Sequence, residues 1–276
     1  MPIANMRDLI REARSDGRAV GAFSVSSIDM IAGVVQAAEE LRTPVILQVA
    51  QVRLPYSPLP LIGAAMRAAA ESAGVPVAVH LDHGMTFDCI RQALDCGFTS
   101  VMFDGSQLPL EENIARTREV MAMARPYGAA VEAEIGSVGK TESGADTPAV
   151  CADPAEGIRF ARETGVDALA VAIGNAHGVY IGAPDLRFGV LEEMRRGCDT
   201  PFVLHGGTGI SDDDFRRAIA LGMGKINIAT ATFLAAFRAA REGTDYFDMS
   251  RRMTVAARGV ALEHIRIFGL AGQKEA

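Results

Sequence analysis

The chain has 276 residues, of which 49% are hydrophobic, and it carries a formal net charge of −7 at pH 7. An acidic protein repels phosphate backbones and anionic lipids, so we expect neither nucleic acid nor a membrane as its partner. Four cysteines without a CxxC motif, and a start without a secretory apolar core, are typical of a cytoplasmic protein. No apolar run approaches the ~20 residues of a membrane-spanning helix.

The predicted elements alternate along the chain between short strands and longer helices. The first segment, MPIANMRDLIREARSDG, has the pattern of a short amphipathic helix. Apolar runs then predict strands near residues 19–25, 44–50, 75–82, 100–104, 129–135, 168–174, 201–205 and 225–229. Helical patterns such as SIDMIAGVVQAAEELR and PLEENIARTREVMAMAR separate these strands.

This alternation indicates the fold class. Continuous apolar strands separated by helices are typical of a parallel sheet that is covered on both faces. We therefore predict an α/β protein with a (β/α)8 TIM-barrel fold. Residues 1–276 would form one domain with an N-terminal helix and a C-terminal helical extension. An open doubly wound sheet is the alternative, because a single sequence does not fix the number of strands.

Three of the five histidines follow apolar runs that turn into glycine-bearing loops. His83, His177 and His205 end the segments VPVAVHLDH, ALAVAIGNAH and PFVLH. The loops after the strands of such a barrel meet at one rim, and that rim carries the active site. Three imidazoles are a common ligand set for a catalytic zinc, so we predict a divalent metal site there. For His80 and His264 we predict structural roles, in a strand and in the C-terminal helix.

Carboxylates follow three of the predicted strands. Asp82 precedes His83 directly and is placed to act as an acid or base beside a metal. Asp104 and Glu134 follow the fourth and fifth strands, where they could bind a second metal or support the histidines. Helix capping or ordinary salt bridges are the alternative for all three. Glu132, two residues before Glu134 in the same strand, is expected to orient it.

Glycine-rich loops follow the seventh and eighth predicted strands. They read His205-Gly206-Gly207-Thr208-Gly209 and Asn227-Ile228-Ala229-Thr230. These two loops often bind phosphate in barrels of this class, because backbone N–H groups at a helix N-terminus point towards the anion. Glycines that merely permit tight turns are the alternative for either loop alone. The two loops together favour a phosphorylated ligand.

Several segments in the same order carry a family resemblance. They are GAFSVSSIDM, VPVAVHLDHGMTFDCI, GFTSVMFDGSQLPLEENI, VEAEIGSVGKTES, AVAIGNAHGVY, VLHGGTGI and KINIAT. Together they resemble the signature segments of class II, metal-dependent fructose-bisphosphate/tagatose-bisphosphate aldolases. The resemblance extends from about residue 19 to residue 230. The ending IRIFGLAGQ is also similar to the end of that family.

The resemblance implies a reaction and a role for each matched position. The enzyme would cleave or condense a ketose (bis)phosphate, giving dihydroxyacetone phosphate and an aldehyde through a zinc-stabilised ene-diolate. The three histidines would hold the catalytic Zn²⁺, and Asp104 and Glu134 a second divalent or monovalent cation. Asp82 would act on the C4 hydroxyl, and Glu142 on the proton of the ketone α-carbon. The residues matching the ketose-phosphate segments are Gly178, Gly206, Gly207, Thr208, Asn227, Ile228, Ala229 and Thr230.

The resemblance also implies a homodimer or a homotetramer, and it has departures that bear on the substrate. Ser24 and Ser26 replace asparagines, Ala50 replaces a serine, Gln107 replaces a histidine, and Lys140 and Ser143 alter the loop that contains Glu142. These positions are expected to face the aldehyde half of the substrate, which predicts an aldehyde other than glyceraldehyde 3-phosphate. Two alternatives stay open: a catalytically inactive sugar-phosphate-binding homologue, and a metal-dependent isomerase or epimerase of a phosphorylated sugar.

Overall fold

The computed structural model describes residues 3–139, 149–180 and 182–269. Lys140, Glu142 and Ser143 lie outside the described residues. Eight parallel strands close into one barrel in chain order, and the eighth strand pairs with the first. The predicted (β/α)8 barrel is therefore confirmed, and the open sheet is wrong.

The strands and helices alternate along the chain as predicted. The strands are β1 Val20–Ser24, β2 Val45–Ala50, β3 Val77–Gly84, β4 Ser100–Phe103, β5 Ala130–Ile135, β6 Ala168–Val171, β7 Phe202–Leu204 and β8 Met223–Ile228. The α-helices within the described residues are α1 Met6–Ser15, α2 Ile28–Glu40, α3 Leu59–Ser72, α4 Phe87–Asp95, α5 Leu110–Ala124, α6 Pro154–Thr164, α7 Phe188–Gly197, α8 Asp212–Ala220, α9 Thr230–Arg241 and α10 Tyr246–Ile267. Short 3-10 turns occupy Gln51–Arg53 and Arg125–Tyr127. None of the described helices is long and apolar enough to cross a membrane.

Side-chain chemistry explains where several helices begin. Asn5, Ser27, Thr86, Ser211 and Asp245 each accept a hydrogen bond from a backbone N–H in the first turn of the helix that follows. Such caps satisfy N–H groups that have no partner within the helix.

Helix α1 closes the N-terminal end of the barrel. Its buried residues Met6, Leu9, Ile10 and Ala13 pack against an apolar layer inside the barrel. That layer consists of Val20, Ala22, Ile46, Ala78, Met102, Ala130, Ala168, Ala170 and Val203. Each fully buried large apolar side chain contributes roughly 1.5–3 kcal/mol to folding. We call this region the apolar floor.

The barrel interior changes character towards the C-terminal ends of the strands. The buried side chains there are polar: Ser24, Gln48, His80, Asp82, Glu132, Lys225 and Asn227. Buried polar groups cost free energy unless they are hydrogen-bonded or paired. The polar upper layer, as we call this set, lies directly beneath the rim where the predicted site residues are found.

Candidate active site

The end of β3 places two adjacent residues, Asp82 and His83, on the same side of the strand. Successive strand residues normally point to opposite faces. Here the register with β4 shifts between Leu81 and Gly84, and His83 has a φ of +42°. A left-handed backbone is costly for a residue other than glycine and often marks a functional site. The irregularity lets both side chains reach the barrel interior.

His83, His177 and His205 come together at the rim, as predicted. Their ring centroids are 4.7 Å apart for His83 and His205, 5.0 Å for His83 and His177, and 6.0 Å for His177 and His205. All three are buried, and each offers a nitrogen within 4.8 Å of those offered by the other two. His83 Nε2 and His205 Nδ1 are 2.9 Å apart. Two nitrogens on one tetrahedral Zn²⁺ lie roughly 3.3 Å apart, so this pair fits a shared ion.

Carboxylates hold the outward-facing nitrogens of two of these rings. His83 Nδ1 lies 2.8 Å from Asp104 Oδ2, and His205 Nε2 lies 2.8 Å from Glu132 Oε1. A carboxylate accepts the N–H of its partner ring, which leaves the other nitrogen of that ring for a metal. Of the two roles considered for Asp104, its hydrogen bond corresponds to support of a histidine. Glu132 bonds His205 rather than orienting Glu134, as the sequence had led us to expect.

The pKa values of His83 and His205 are shifted in opposite directions. Burial disfavours charge on His83, but Asp82, Asp104 and Glu134 outweigh it and hold the pKa of His83 well above its usual value. Burial lowers the pKa of His205. Nε2 of His83 and Nδ1 of His205, which face each other at 2.9 Å, lie at the position that suits a divalent cation.

A second group of potential cation ligands shares His83. This residue, Asp104 and Glu134 bring ligand atoms within 4.8 Å of one another. Burial, and then the charge of Asp104, raise the pKa of Glu134 to about 8. Glu134 Oε2 is buried and has no hydrogen-bond partner among the described residues. A cation would satisfy that oxygen and relieve the repulsion between the two carboxylates.

Asp82 is held from two sides. Its Oδ2 accepts a hydrogen bond from Gln48 Nε2 at 3.0 Å, and its Oδ1 accepts one from Asn227 Nδ2 at 3.2 Å. Gln48 Nε2 also donates to Ser24 Oγ at 3.1 Å. Strands β2 and β8 therefore each contribute an amide, Gln48 and Asn227, that fixes the orientation of the Asp82 carboxylate. Ser24 in turn supports Gln48.

Lys225 is fully buried within β8 and points into the barrel. The sequence suggested that it begins the strand, but β8 starts at Met223. The ammonium Nζ lies 2.9 Å from Glu132 Oε2 and donates to Asn227 Oδ1 at 2.7 Å. Burial alone would raise the pKa of Glu132, but Lys225, His205 and His80 together outweigh it and hold that pKa well below its usual range.

The two glycine-rich loops are joined to each other and to the loop of His177. Gly207 N donates to Asn227 O at 3.2 Å, and Thr208 Oγ1 accepts from Ala231 N at 3.0 Å in the first turn of α9. Gly206 has a φ of +63°, and a Cβ on it would lie 2.2 Å from Ala176 O. Only glycine fits that position. Tyr180 Oη donates to Gly206 O, which ties this loop to the one after β6.

The remaining residues matched by the resemblance lie around these loops. Gly178 follows His177 directly with a φ of +89°, which a residue with a side chain rarely adopts. Ile228 ends β8, Ala229 is the N-cap residue of α9, and Thr230 begins that helix. Together with the loop contacts above, they place all the predicted ketose-phosphate segments at the rim beside His205.

A cavity opens from this cluster towards the loops after β4 and β5. It has a volume of about 290 Å³, and its walls include His83, Asp104, Glu134 and His177. Gln107 also lines it and donates from Nε2 to Ser137 Oγ at 2.8 Å. The departure from histidine at position 107 therefore faces a space next to the predicted metal ligands. A second opening, lined by Ser26, Arg53, Tyr56 and Thr230, lies on the side of β1 and β2.

The structure agrees with the roles predicted for two other histidines. His80 is buried in β3 and bonds Ser100 Oγ through Nδ1 at 2.9 Å, while His264 in α10 bonds Val260 O at 2.8 Å. Sequence reasoning missed Gln48 entirely, gave Lys225 no site role, and paired Glu132 with Glu134 instead of His205. Gln48 interrupts a strand whose other residues are apolar, while Glu132 and Lys225 add a second polar side chain to strands that also carry Glu134 or Asn227. Those interruptions were the available signal.

Comparisons with known proteins agree with this geometry. Residues 4–273 match the family model described as fructose-bisphosphate aldolase class-II. A probable fructose-bisphosphate aldolase of Bacillus subtilis is 41% identical over 88% of this chain and 86% of its own length. A 6-phospho-5-dehydro-2-deoxy-D-gluconate aldolase of Bacillus licheniformis is 39% identical over 99% of this chain and 97% of its own.

A solved structure gives the same result. The crystal structure of the YdjI aldolase from Escherichia coli K12 superposes with a TM-score of 0.89 at 36% sequence identity, covering 98% of each chain. The family match spans nearly the whole chain, and the barrel, the histidine cluster and the relatives are consistent with it. The chain therefore belongs to the class II fructose-bisphosphate aldolase family, whose members carry out metal-dependent aldol cleavage and condensation.

Proposed function

We propose that His83, His177 and His205 hold a catalytic Zn²⁺ in this aldolase. The observation that carries the proposal is the convergence of three imidazole nitrogens, each within 4.8 Å of the others, at the barrel rim. Carboxylates on the far nitrogens of two rings support it, because such partners fix the tautomer and raise ligand basicity. Lewis-acid polarisation of the substrate carbonyl is the chemistry that such a metal supplies when bound.

Asp82 acts as the acid or base at the substrate's C4 hydroxyl. In cleavage its carboxylate takes the hydroxyl proton as the carbon–carbon bond breaks, and in condensation it returns that proton to the aldehyde oxygen. The amides of Gln48 and Asn227 keep both carboxylate oxygens fixed, so the carboxylate need not reorient during the reaction. Glu142 moves the proton at the ketone α-carbon in this proposal, a role that rests on the family resemblance alone.

The phosphate of the ketose end binds at the loops after β6, β7 and β8. The residues assigned to it are Gly178, Gly206, Gly207, Thr208, Asn227, Ile228, Ala229 and Thr230. Backbone N–H groups in these loops and at the start of α9 supply the local positive field that an acidic protein needs. Asn227 reaches this region by its backbone, because its side chain is engaged with Asp82 and Lys225.

The aldehyde half differs from glyceraldehyde 3-phosphate. Relatives of nearly equal identity are named for different substrates, a fructose bisphosphate and a phosphorylated deoxygluconate. Gln107 lines the cavity beside the histidine cluster, Ser26 lines the opening next to Thr230, and both depart from the family pattern. Condensation of dihydroxyacetone phosphate with a panel of phosphorylated, carboxylated and neutral aldehydes, with products weighed by mass spectrometry, tests this assignment.

The proposal extends to a second cation, to assembly and to location. Asp104 and Glu134 hold a second divalent or monovalent cation beside His83. The enzyme is a homodimer or a homotetramer, which exposed Phe237, Tyr246 and Phe247 support because exposed apolar groups often mark interfaces. We place it in the cytoplasm, in keeping with its free cysteines. Sedimentation analysis tests the assembly.

The central experiment separates the aldolase from its two alternatives. Zinc-loaded protein is incubated with a ketose bisphosphate, and release of dihydroxyacetone phosphate is followed with a coupled dehydrogenase. Cleavage that a chelator abolishes and Zn²⁺ restores supports the proposal. Interconversion of ketose phosphates without a three-carbon product indicates an isomerase or epimerase, and tight binding without turnover indicates an inactive binding homologue.

A further inference from the structure

Lys225 connects the two halves of the catalytic centre without reaching its surface. Its side chain is fully buried, and its ammonium lies between Glu132 and Asn227. Beyond Glu132, the chain of contacts continues to His205, whose Nε2 donates to Glu132 Oε1 at 2.8 Å. Beyond Asn227, it continues to Asp82 Oδ1 at 3.2 Å. One cation thus contacts the partner of a proposed metal ligand and the partner of the proposed acid or base.

We infer that Lys225 is a positioning residue, which fixes His205 for the metal through Glu132 and fixes Asp82 for proton transfer through Asn227. The inference rests on the proposed function, because it takes His205 as a metal ligand and Asp82 as the acid or base. Lys225 itself touches neither the substrate nor the metal. It determines which side-chain atom Glu132 directs towards His205 and which side-chain atom Asn227 directs towards Asp82.

The branch through Asn227 follows from donor and acceptor chemistry. An ammonium can only donate hydrogen bonds, so it must face the carbonyl oxygen of the Asn227 amide. The NH₂ group of Asn227 then points to the other side, where Asp82 accepts from it. Without Lys225 the amide could turn over and present its oxygen to the Asp82 carboxylate, which would repel it.

The branch through Glu132 fixes a tautomer. Lys225 engages Oε2 of Glu132 and leaves Oε1 as a charged acceptor for the N–H of His205. The proton of neutral His205 is then held on Nε2, and its Nδ1 lone pair faces His83 Nε2 at 2.9 Å. That lone pair is the one a shared metal needs.

A purely structural role for this ion pair is the competing explanation. Buried ion pairs contribute little to stability, and replacing both members by uncharged groups is often neutral or stabilising. The two explanations therefore predict different outcomes for a double variant. If Lys225 and Glu132 only hold the barrel together, the uncharged pair should retain metal affinity when it folds.

The test measures Zn²⁺ affinity of the full-length protein by competition with a chromophoric chelator, together with thermal unfolding and steady-state kinetics. Lys225→Met should weaken zinc binding about 10–100-fold, the range typical for loss of an outer-shell partner. It should also lower kcat for cleavage, while KM for the ketose phosphate stays within about twofold because Lys225 bonds the side chain of Asn227, which meets the phosphate through its backbone. Arg7→Met is the matched control, since Arg7 pairs with Asp167 at the opposite end of the barrel. It should lose stability and keep zinc affinity and kcat.

The double variant Lys225→Met/Glu132→Gln keeps the test decisive if the single lysine variant does not fold. Its zinc affinity should stay close to that of Glu132→Gln alone, because Lys225 acts on the metal mainly through Glu132, whose 2.8 Å bond to His205 is shorter than the 3.3 Å contact from Asn227. Losses that multiply in the double variant, or unchanged zinc affinity and kcat in Lys225→Met, overturn the inference. Wild-type protein that binds no zinc at the histidines would instead refute the proposed function.

Discussion

The two ends of the barrel interior differ in what they bury. The apolar floor buries methyl and methylene groups against α1, whereas the polar upper layer buries a lysine, two carboxylates and two amides. Apolar burial stabilises a fold in proportion to the area removed from water. Buried charges contribute little or nothing to stability even when paired. The comparison indicates that one end of the barrel maintains the fold while the other is organised for chemistry.

The connections within each end lead to the same conclusion. Ile10 in the floor packs on Gly224 of β8, where a Cβ on that glycine would lie 2.6 Å from its side chain. In the upper layer, hydrogen bonds and ion pairs run from Gln48 through Asp82, Asn227 and Lys225 to the histidines. Losing a floor contact should therefore cost stability, and losing an upper-layer contact should cost activity.

The largest expected effect comes from removing one of the three histidines. His177→Ala should lose stoichiometric zinc and all metal-dependent turnover, because two remaining imidazoles do not complete a catalytic zinc site. Zinc content after dialysis and cleavage of the preferred ketose phosphate are the measurements. Activity that survives a strong chelator would contradict the assignment.

His264→Ala is the matched control for that variant. It also removes a buried histidine, but His264 lies in α10, where its Nδ1 bonds the backbone carbonyl of Val260. Its thermal midpoint should fall while zinc stoichiometry and kcat are retained. Equal loss of zinc in both variants would show that histidine removal acts by unfolding, and the contrast between the two regions would fail.

The next largest effect is expected at Asp82. Asp82→Asn preserves shape and can still contact Gln48, but it cannot take up a proton, so kcat should fall by about 10²–10⁴-fold. Zinc content should remain that of the wild type, because Asp82 bonds amides rather than a proposed metal ligand. Near-normal turnover would show that Asp82 is not the acid or base of the reaction.

Most of the barrel could be predicted because its signals are local. Apolar runs marked all eight strands to within a few residues. The convergence of the three histidines could be predicted because the ends of parallel strands meet at one rim. These inferences need only the order of the elements, which the sequence carries.

The hydrogen-bond and ion-pair partners within the site could not be predicted in the same way. The irregular register and left-handed backbone at His83 break the alternation on which sequence reasoning depends. Glu132 lies two residues from Glu134, so alternation correctly put both on one face. Which partner each carboxylate takes depends on contacts across the barrel, as between Glu132 and Lys225 on strands that are not neighbours.

A substitution in the apolar floor should lower stability and leave kcat unchanged, which is the opposite of what is expected for substitutions at the rim. Ile10→Ala should lower the free energy of unfolding by about 2–5 kcal/mol, since it leaves a cavity against β8. The kcat of the folded enzyme should not change. Ile28→Ala is the matched control, because Ile28 is 73% exposed and surface truncations usually stay within about 0.5 kcal/mol. A fall in kcat for Ile10→Ala at temperatures where the variant is folded would show that the apolar floor and the polar upper layer are energetically coupled.

Among the site variants, the smallest effect on kcat is expected at Gln48. This variant is also the sharpest test of the division between the apolar floor and the polar upper layer. Gln48→Leu removes a hydrogen bond to a charged group, worth about 1.5–3 kcal/mol, so kcat should fall roughly tenfold or more if Asp82 must be oriented in the transition state. KM for the ketose phosphate should hold, because Gln48 contacts Asp82 and Ser24 rather than the phosphate loops. Denaturant unfolding should show a much smaller change than for Ile10→Ala, since a leucine fills the same space. A large loss of stability with unchanged kcat would mean that Gln48 belongs functionally to the floor, and the boundary between the two regions would have to be moved towards the rim.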